Sequence, residues 1–134
     1  IRDRYITCIF DKDKTKLFGL DRINTDEEVY VTEGPFDSYF LPNAIAMCGS
    51  DVDYSTFNYQ FTFVYDNEPR NKEIVDKIID TIDKGYSVVI FPKTIKEKDL
   101  NDMHLAGHDV KQIVKSNTFQ GAEAKVKLTF WKKV

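Results

Sequence analysis

The sequence predicts an α/β domain with a mostly parallel central sheet, flanked by helices and preceded by a β-hairpin. Three observations predict it. Short β-rich apolar runs recur at 29–32, 44–47, 61–65 and 87–91. Helical patterns alternate with them, as in βαβ units. Acidic residues fall at or shortly beyond the ends of three of these runs, where α/β sheets place their chemistry.

YITCIF at 5–10 reads as a first strand, DKDKTK at 11–16 as a polar turn, and LFGL at 17–20 as the returning strand of the hairpin. Asp21 to Glu28 is an acidic connector into strand 29–32. A short helix is expected over 36–42, limited by Pro42, then strand 44–47 closed by Gly49 and a polar loop over 50–59. FTFVY at 61–65 is the strongest strand, and Phe57, Tyr59, Phe61, Phe63 and Tyr65 alternate along it. Such a row of rings suits base stacking, but core packing against a helix is the favoured reading. Pro69 opens the next helix. Its stripe is Ile74, Val75, Ile78, Ile79 and Ile82, and Gly85 is its stop. SVVIF at 87–91 is a further buried strand. Helices follow at 100–106, ended by Gly107, and at 110–116, capped by Asp109. The tail at 122–134 suits either strand or helix, with Trp131 assigned to the core. The expected organisation is a hairpin and basic segment over 1–27, a catalytic domain over 28–118, and a basic tail over 119–134 that packs on or extends it.

Hydrophobic content of 42% and charged content of 31% are ordinary for a globular chain long enough to bury a core. No apolar run approaches the roughly 20 residues of a membrane span, and the N-terminus has no signal-peptide pattern. A chain opening on Ile1 is expected to be a fragment. Cys8 and Cys48 stand alone, with neither zinc spacing nor a disulfide framework, so a reducing cytoplasm is the expected setting.

A net charge of −3 argues against a nucleic-acid binder, but the distribution does not. Residues 1–22 hold six basic and four acidic side chains, 23–92 four and thirteen, and 93–134 nine and five. Basic ends around an acidic centre suit cations held beside a polyanion. They equally suit two solvated basic surfaces.

Glu33, the pair Asp66 and Glu68, and the pair Asp99 and Asp102 therefore form the candidate site. Parallel strands share a carboxyl edge, where these groups can converge. Oxygen ligands without His or Cys suit Mg²⁺ or Mn²⁺. Two ions roughly 3.5–4 Å apart can activate a hydroxyl and stabilise a leaving oxygen in phosphoryl transfer. On an extended segment Asp66 and Glu68 would point the same way and share an ion. Each acid also has a local reading. Glu33 and Asp37 would favour a helix N-terminus, the 66–69 run a capping turn, and Asp99 with Asp102 a capping box. His104 and His108 are four apart, but Gly107 separates them and no further ligand is evident.

EGPFDS after a strand, then YDNE, then KDLND resembles the Toprim domain of primases, topoisomerases, OLD-type nucleases and RecR. The preceding hairpin resembles the segment before Toprim in primases, matching its usual ending at Gly19 and Arg22. KDLNDMHLAGHDVKQIVKSNTF resembles the primases of T4-type bacteriophages.

The resemblance implies a Toprim-like fold and a DNA-dependent RNA primase core, joining ribonucleotides on single-stranded DNA with two Mg²⁺ or Mn²⁺ ions. Glu33 would act as general acid/base or metal organiser, with Asp37 joining the metal cluster. Asp66 and Glu68 would hold Mg²⁺, and Lys98 and Asp99 would stand near the incoming nucleotide and a second ion. Asp102 is the other acid of that motif, with Asn101 occupying the family's usual acidic position. The family's usual second acid of the pair is Asp, where Glu68 stands here before Pro69. Gly34 would allow a tight turn. Arg4, Lys16 and Arg22, with Arg2, Lys12 and Lys14, are candidate phosphate contacts. A replicative helicase, the host cytoplasm and no membrane are the implied surroundings. A Toprim nuclease or a non-catalytic Toprim binding module are the alternatives.

Overall fold

The computed structural model describes residues 23–24, 26–47 and 60–134. The hairpin, Arg4, Lys16, Arg22, both cysteines, and the rings of Phe57 and Tyr59 lie outside the described residues. Five strands form a mostly parallel sheet in the order β2-β1-β3-β4-β5. They are β1 (Val29–Thr32), β2 (Ala44–Ala46), β3 (Phe61–Val64), β4 (Ser87–Val89) and β5 (Thr118–Phe119). Of the described residues, those up to Phe61 belong to one compact unit and those from Thr62 to a second.

In the first unit β1 pairs parallel with β2, Val31 opposite Ile45. Val29, Val31, Thr32, Ile45 and Ala46 are sealed from solvent, as expected where helices cover parallel strands. Helix α1 (Pro35–Ser38) is shorter than the expected 36–42 and ends before Pro42. The buried Asn43 amide donates to the carbonyls of Asn24 and Glu28, and its oxygen accepts from the Asn24 N–H. This fixes the acidic connector beside β1.

In the second unit β3 pairs parallel with β4, and β4 antiparallel with β5. Alternate residues of β3 do not divide between core and solvent: Phe61, Thr62, Phe63 and Val64 are all buried, as is Tyr65 beyond it. The rings at 61, 63 and 65 are therefore core and not a stacking platform. Phe63 stacks on Tyr65, centroids 6.0 Å apart.

Helix α2 (Lys72–Asp83) begins three residues after Pro69, capped by Asn71, whose side chain accepts from the N–H groups of Glu73 and Ile74. Ile74, Val75, Ile78 and Ile82 are buried as the spacing predicts. Ile79 instead stands at the solvent margin, and Thr81 takes the inward place. Gly85, at φ +88°, continues past the helix end in the left-handed region that favours glycine.

Helices α3 (Leu100–Leu105) and α4 (Val110–Ser116) follow, with Gly107 between them at φ +91°. The tail forms α5 (Gly121–Trp131), which packs on α2, β4 and β5 and buries Ala124, Leu128 and Trp131. No helix among the described residues is long and apolar enough to cross a membrane.

The Tyr65 hydroxyl lies 2.6 Å from the Thr81 hydroxyl, which itself donates to the Lys77 carbonyl at 2.8 Å. Tyr65 is therefore the donor of the pair. Tyr65→Phe removes that bond without orphaning Thr81's proton, so it should cost about 1 kcal/mol, read as a lower denaturant midpoint with unchanged slope.

Candidate active site

In the first unit the strand end sets the geometry. The Thr32 hydroxyl, at the last position of β1, donates to the Gly34 carbonyl at 3.0 Å, with the Ile45 carbonyl at 3.4 Å. The Met47 N–H donates to the Thr32 carbonyl. These bonds tie the Glu33–Gly34 turn to β2. Glu33 is half-buried, with its Oε1 atom closed off from solvent. Asp37 lies in the first turn of α1, where the helix N-terminus favours an acid. Gly34 is extended (φ −107°, ψ 150°), and an added Cβ would meet only the Asp37 carboxylate, at 3.9 Å. The turn therefore does not need glycine's conformational freedom, contrary to expectation.

The second unit brings two loops together. Residues 66–68 are not extended: the Glu68 N–H donates to the Asp66 carbonyl at 2.9 Å, closing a tight turn. The expected shared direction of the Asp66 and Glu68 side chains along an extended segment therefore does not apply. Asp66 and Glu68 are half-buried. Asn71 donates its amide to Glu68 at 3.5 Å, and its own N–H bonds the Glu68 carbonyl at 3.0 Å. Lys98 comes to 4.0 Å from Glu68 Oε1. The lysine is largely exposed, so the pair adds little stability, yet it brings Lys98 and the acid pair to one place.

Asp99 is the N-cap of α3, its carboxylate accepting from the Asp102 N–H at 2.8 Å. The local reading of the 99–102 spacing thus describes one of its oxygens. Asn101 and Asp102 are both exposed on the first turn of α3. His108 Nε2 lies 2.8 Å from Glu97 Oε1, so this histidine straps the 92–99 loop. The bond from His108, first among its causes, holds the Glu97 carboxyl below the usual carboxylate range.

Sequence reasoning passed over Asn67, between the two acids. Its amide donates to the Ile95 and Glu97 carbonyls at 3.1 and 3.0 Å, its oxygen accepts from Trp131 Nε1 at 3.0 Å, and its N–H bonds the Lys98 carbonyl at 2.6 Å. Trp131 is buried, as expected.

Among the described residues no group of three or more His, Cys, Asp or Glu side chains is placed to hold a metal ion. Magnesium does not need such a cage: it keeps several waters and binds through one or two carboxylates plus substrate phosphates. The chemistry of Asp66 and Glu68, two carboxylates on one short turn, fits that kind of site.

The chain is 34% identical over 138 residues to the DNA primase of Enterobacteria phage T4. The match takes in 98% of this chain and 40% of that protein, so the chain spans less than half of this relative's length. No family model matches. The resemblance to T4-type primases read from the sequence is borne out.

Gly34→Ala should fold with an unchanged melting temperature, because neither φ nor space forbids the methyl group; a clear fall would show a constraint at the turn. For Glu97, the lowered carboxyl means its strap to His108 stabilises fully above the ordinary carboxylate value of about 4.3. That contribution is lost as pH falls through the lowered value. His108→Ala should move the Glu97 titration upward toward the ordinary value, measured by carboxyl-carbon NMR.

Proposed function

We propose that this chain is the catalytic part of a DNA primase, with a Toprim-type site that joins ribonucleotides into primers on single-stranded DNA. The observation that carries the reading is the similarity to the phage T4 primase along nearly the whole chain. The acids after β1 and β3, and the Lys98–Asp99 pair after β4, support it.

In this reaction a 3′ hydroxyl attacks the α-phosphate of the next nucleotide, its proton leaves, and diphosphate departs. Glu33, half-buried at the end of β1, serves as the base or orients the attacking group. Asp66 and Glu68 would hold a divalent cation, with Asp99 of the same unit adding to the acidic surroundings, while Asp37 stands with Glu33 in the first unit. A bound Mg²⁺ or Mn²⁺, or a pair of them, supplies positive charge against the charge that develops on the phosphoryl oxygens. Lys98 adds a fixed positive charge beside the same oxygens. The basic residues 1–22 follow the template phosphates, Arg4, Lys16 and Arg22 among them. A replicative helicase is the proposed partner, and the host cytoplasm the place of action.

The test uses the full-length protein with ribonucleotides, Mg²⁺ and a single-stranded template. Glu33→Gln and Asp66→Asn should each reduce primer synthesis by at least about 10²-fold, as loss of an acid–base group or metal ligand does, with melting temperature retained. Normal synthesis by both variants would end the assignment. Cleavage of labelled DNA without any primer product would replace it with a nuclease.

A further inference from the structure

The tight turn that carries Asp66 and Glu68 is bonded to the loop that carries Lys98 and Asp99, and one side chain makes most of the connection. An amide has two donor hydrogens and an acceptor oxygen. Asn67 directs both hydrogens at carbonyls of the 92–99 loop, Ile95 and Glu97, and its oxygen at the Trp131 indole N–H. The reverse orientation of the amide would set oxygen against two carbonyls and N–H against N–H, so the orientation is fixed by chemistry. The Asn67 backbone N–H adds a bond to Lys98 itself. A second tie runs from the end of α5, where the Lys133 N–H donates to the Pro69 carbonyl at 2.8 Å.

We infer that Asn67 is a positioning residue: it sets the Asp66–Glu68 turn against the Lys98–Asp99 segment, and Trp131 of the C-terminal helix holds Asn67 in register. The inference rests on the primase reading for what those groups do. Asn67 touches no reacting atom. Its effect runs through the 4.0 Å approach of Lys98 to Glu68 and the placing of Asp99 at the head of α3. No substitution keeps both functions. Asn67→Asp preserves the shape but sets a pure acceptor against two carbonyls, and Asn67→Ala leaves three groups without their partner.

The experiment compares the full-length protein with its Asn67→Asp, Asn67→Ala and Trp131→Phe variants, by amide hydrogen exchange and by primer synthesis against Mg²⁺ concentration. With its Ile95 and Glu97 carbonyls released, the 92–99 loop should open more often, so its Ile95 N–H, held by the Pro92 carbonyl, should exchange about tenfold or more faster in both Asn67 variants, and by less in Trp131→Phe. Exchange in α2 should not change. In the Asn67 variants kcat should fall by about 10- to 100-fold, the scale of a misplaced catalytic group, and half-saturation should need more Mg²⁺.

Unchanged exchange in 92–99 overturns the inference. So does quickened exchange with wild-type kcat and Mg²⁺ dependence, since a merely structural tie would behave that way. If the wild-type protein makes no primers, the primase reading fails in that arm and takes the catalytic purpose of the tie with it. That outcome is distinct from a failure seen only in the variants.

Discussion

The arrangement depends on strands that are closed to water on both faces. Val29, Val31 and Thr32 of β1, and every residue from Phe61 to Tyr65, are nearly or wholly buried. A carboxylate within either strand would lose its hydration with no room for a compensating partner, at a cost of several kcal/mol. Acids become tolerable only where each strand runs out. Glu33 follows Thr32 and Asp66 follows Tyr65 directly, so the core itself dictates where these acids can stand. The same constraint explains why the strand ends are braced by neutral groups. Thr32, buried, and Asn67, half-buried, lose little on leaving water because their polar atoms are satisfied by backbone carbonyls and, for Asn67, an indole.

Much of the fold was legible because local signals agreed with the tertiary outcome. Short apolar runs marked β1 to β4, and Asp109 and Gly107 marked the boundaries of α3 and α4. The misses have physical causes. Pro69 suggested a helix start, yet Asn71 has the side chain that can cap, so α2 begins later. β5 has two residues, too few to show a period. α5 was ambiguous because Val126 and Phe130 remain exposed while Ala124, Leu128 and Trp131 turn inward, which leaves apolar residues on both sides and no single stripe. The chain's 31% charge also gave no hint that Thr81 rather than Ile79 would face the core. Helical spacing sets Thr81 nearer the Ile74–Ile78 line than Ile79, and the Tyr65 hydroxyl gives it a partner there.

The candidate site was legible as a set of acids and illegible as an assembly. Motif spacing picks out residues that do chemistry. It does not reveal Asn67, whose partners lie 28, 30 and 64 residues away in the chain. Nor does it reveal that His108 acts on the Glu97 carboxylate and not as a member of a histidine pair. Both belong to supporting contacts between loops, and such contacts carry no periodic pattern.

The shortness of β5 has an effect of its own. It stands last in the strand order and lends β4 an antiparallel neighbour before the chain turns away into α5. A border only two residues long exposes hardly any open amide and carbonyl groups to a second molecule. At high protein concentration that side of the sheet is thereby a poor template for intermolecular β-pairing, and self-association into fibres has little purchase there.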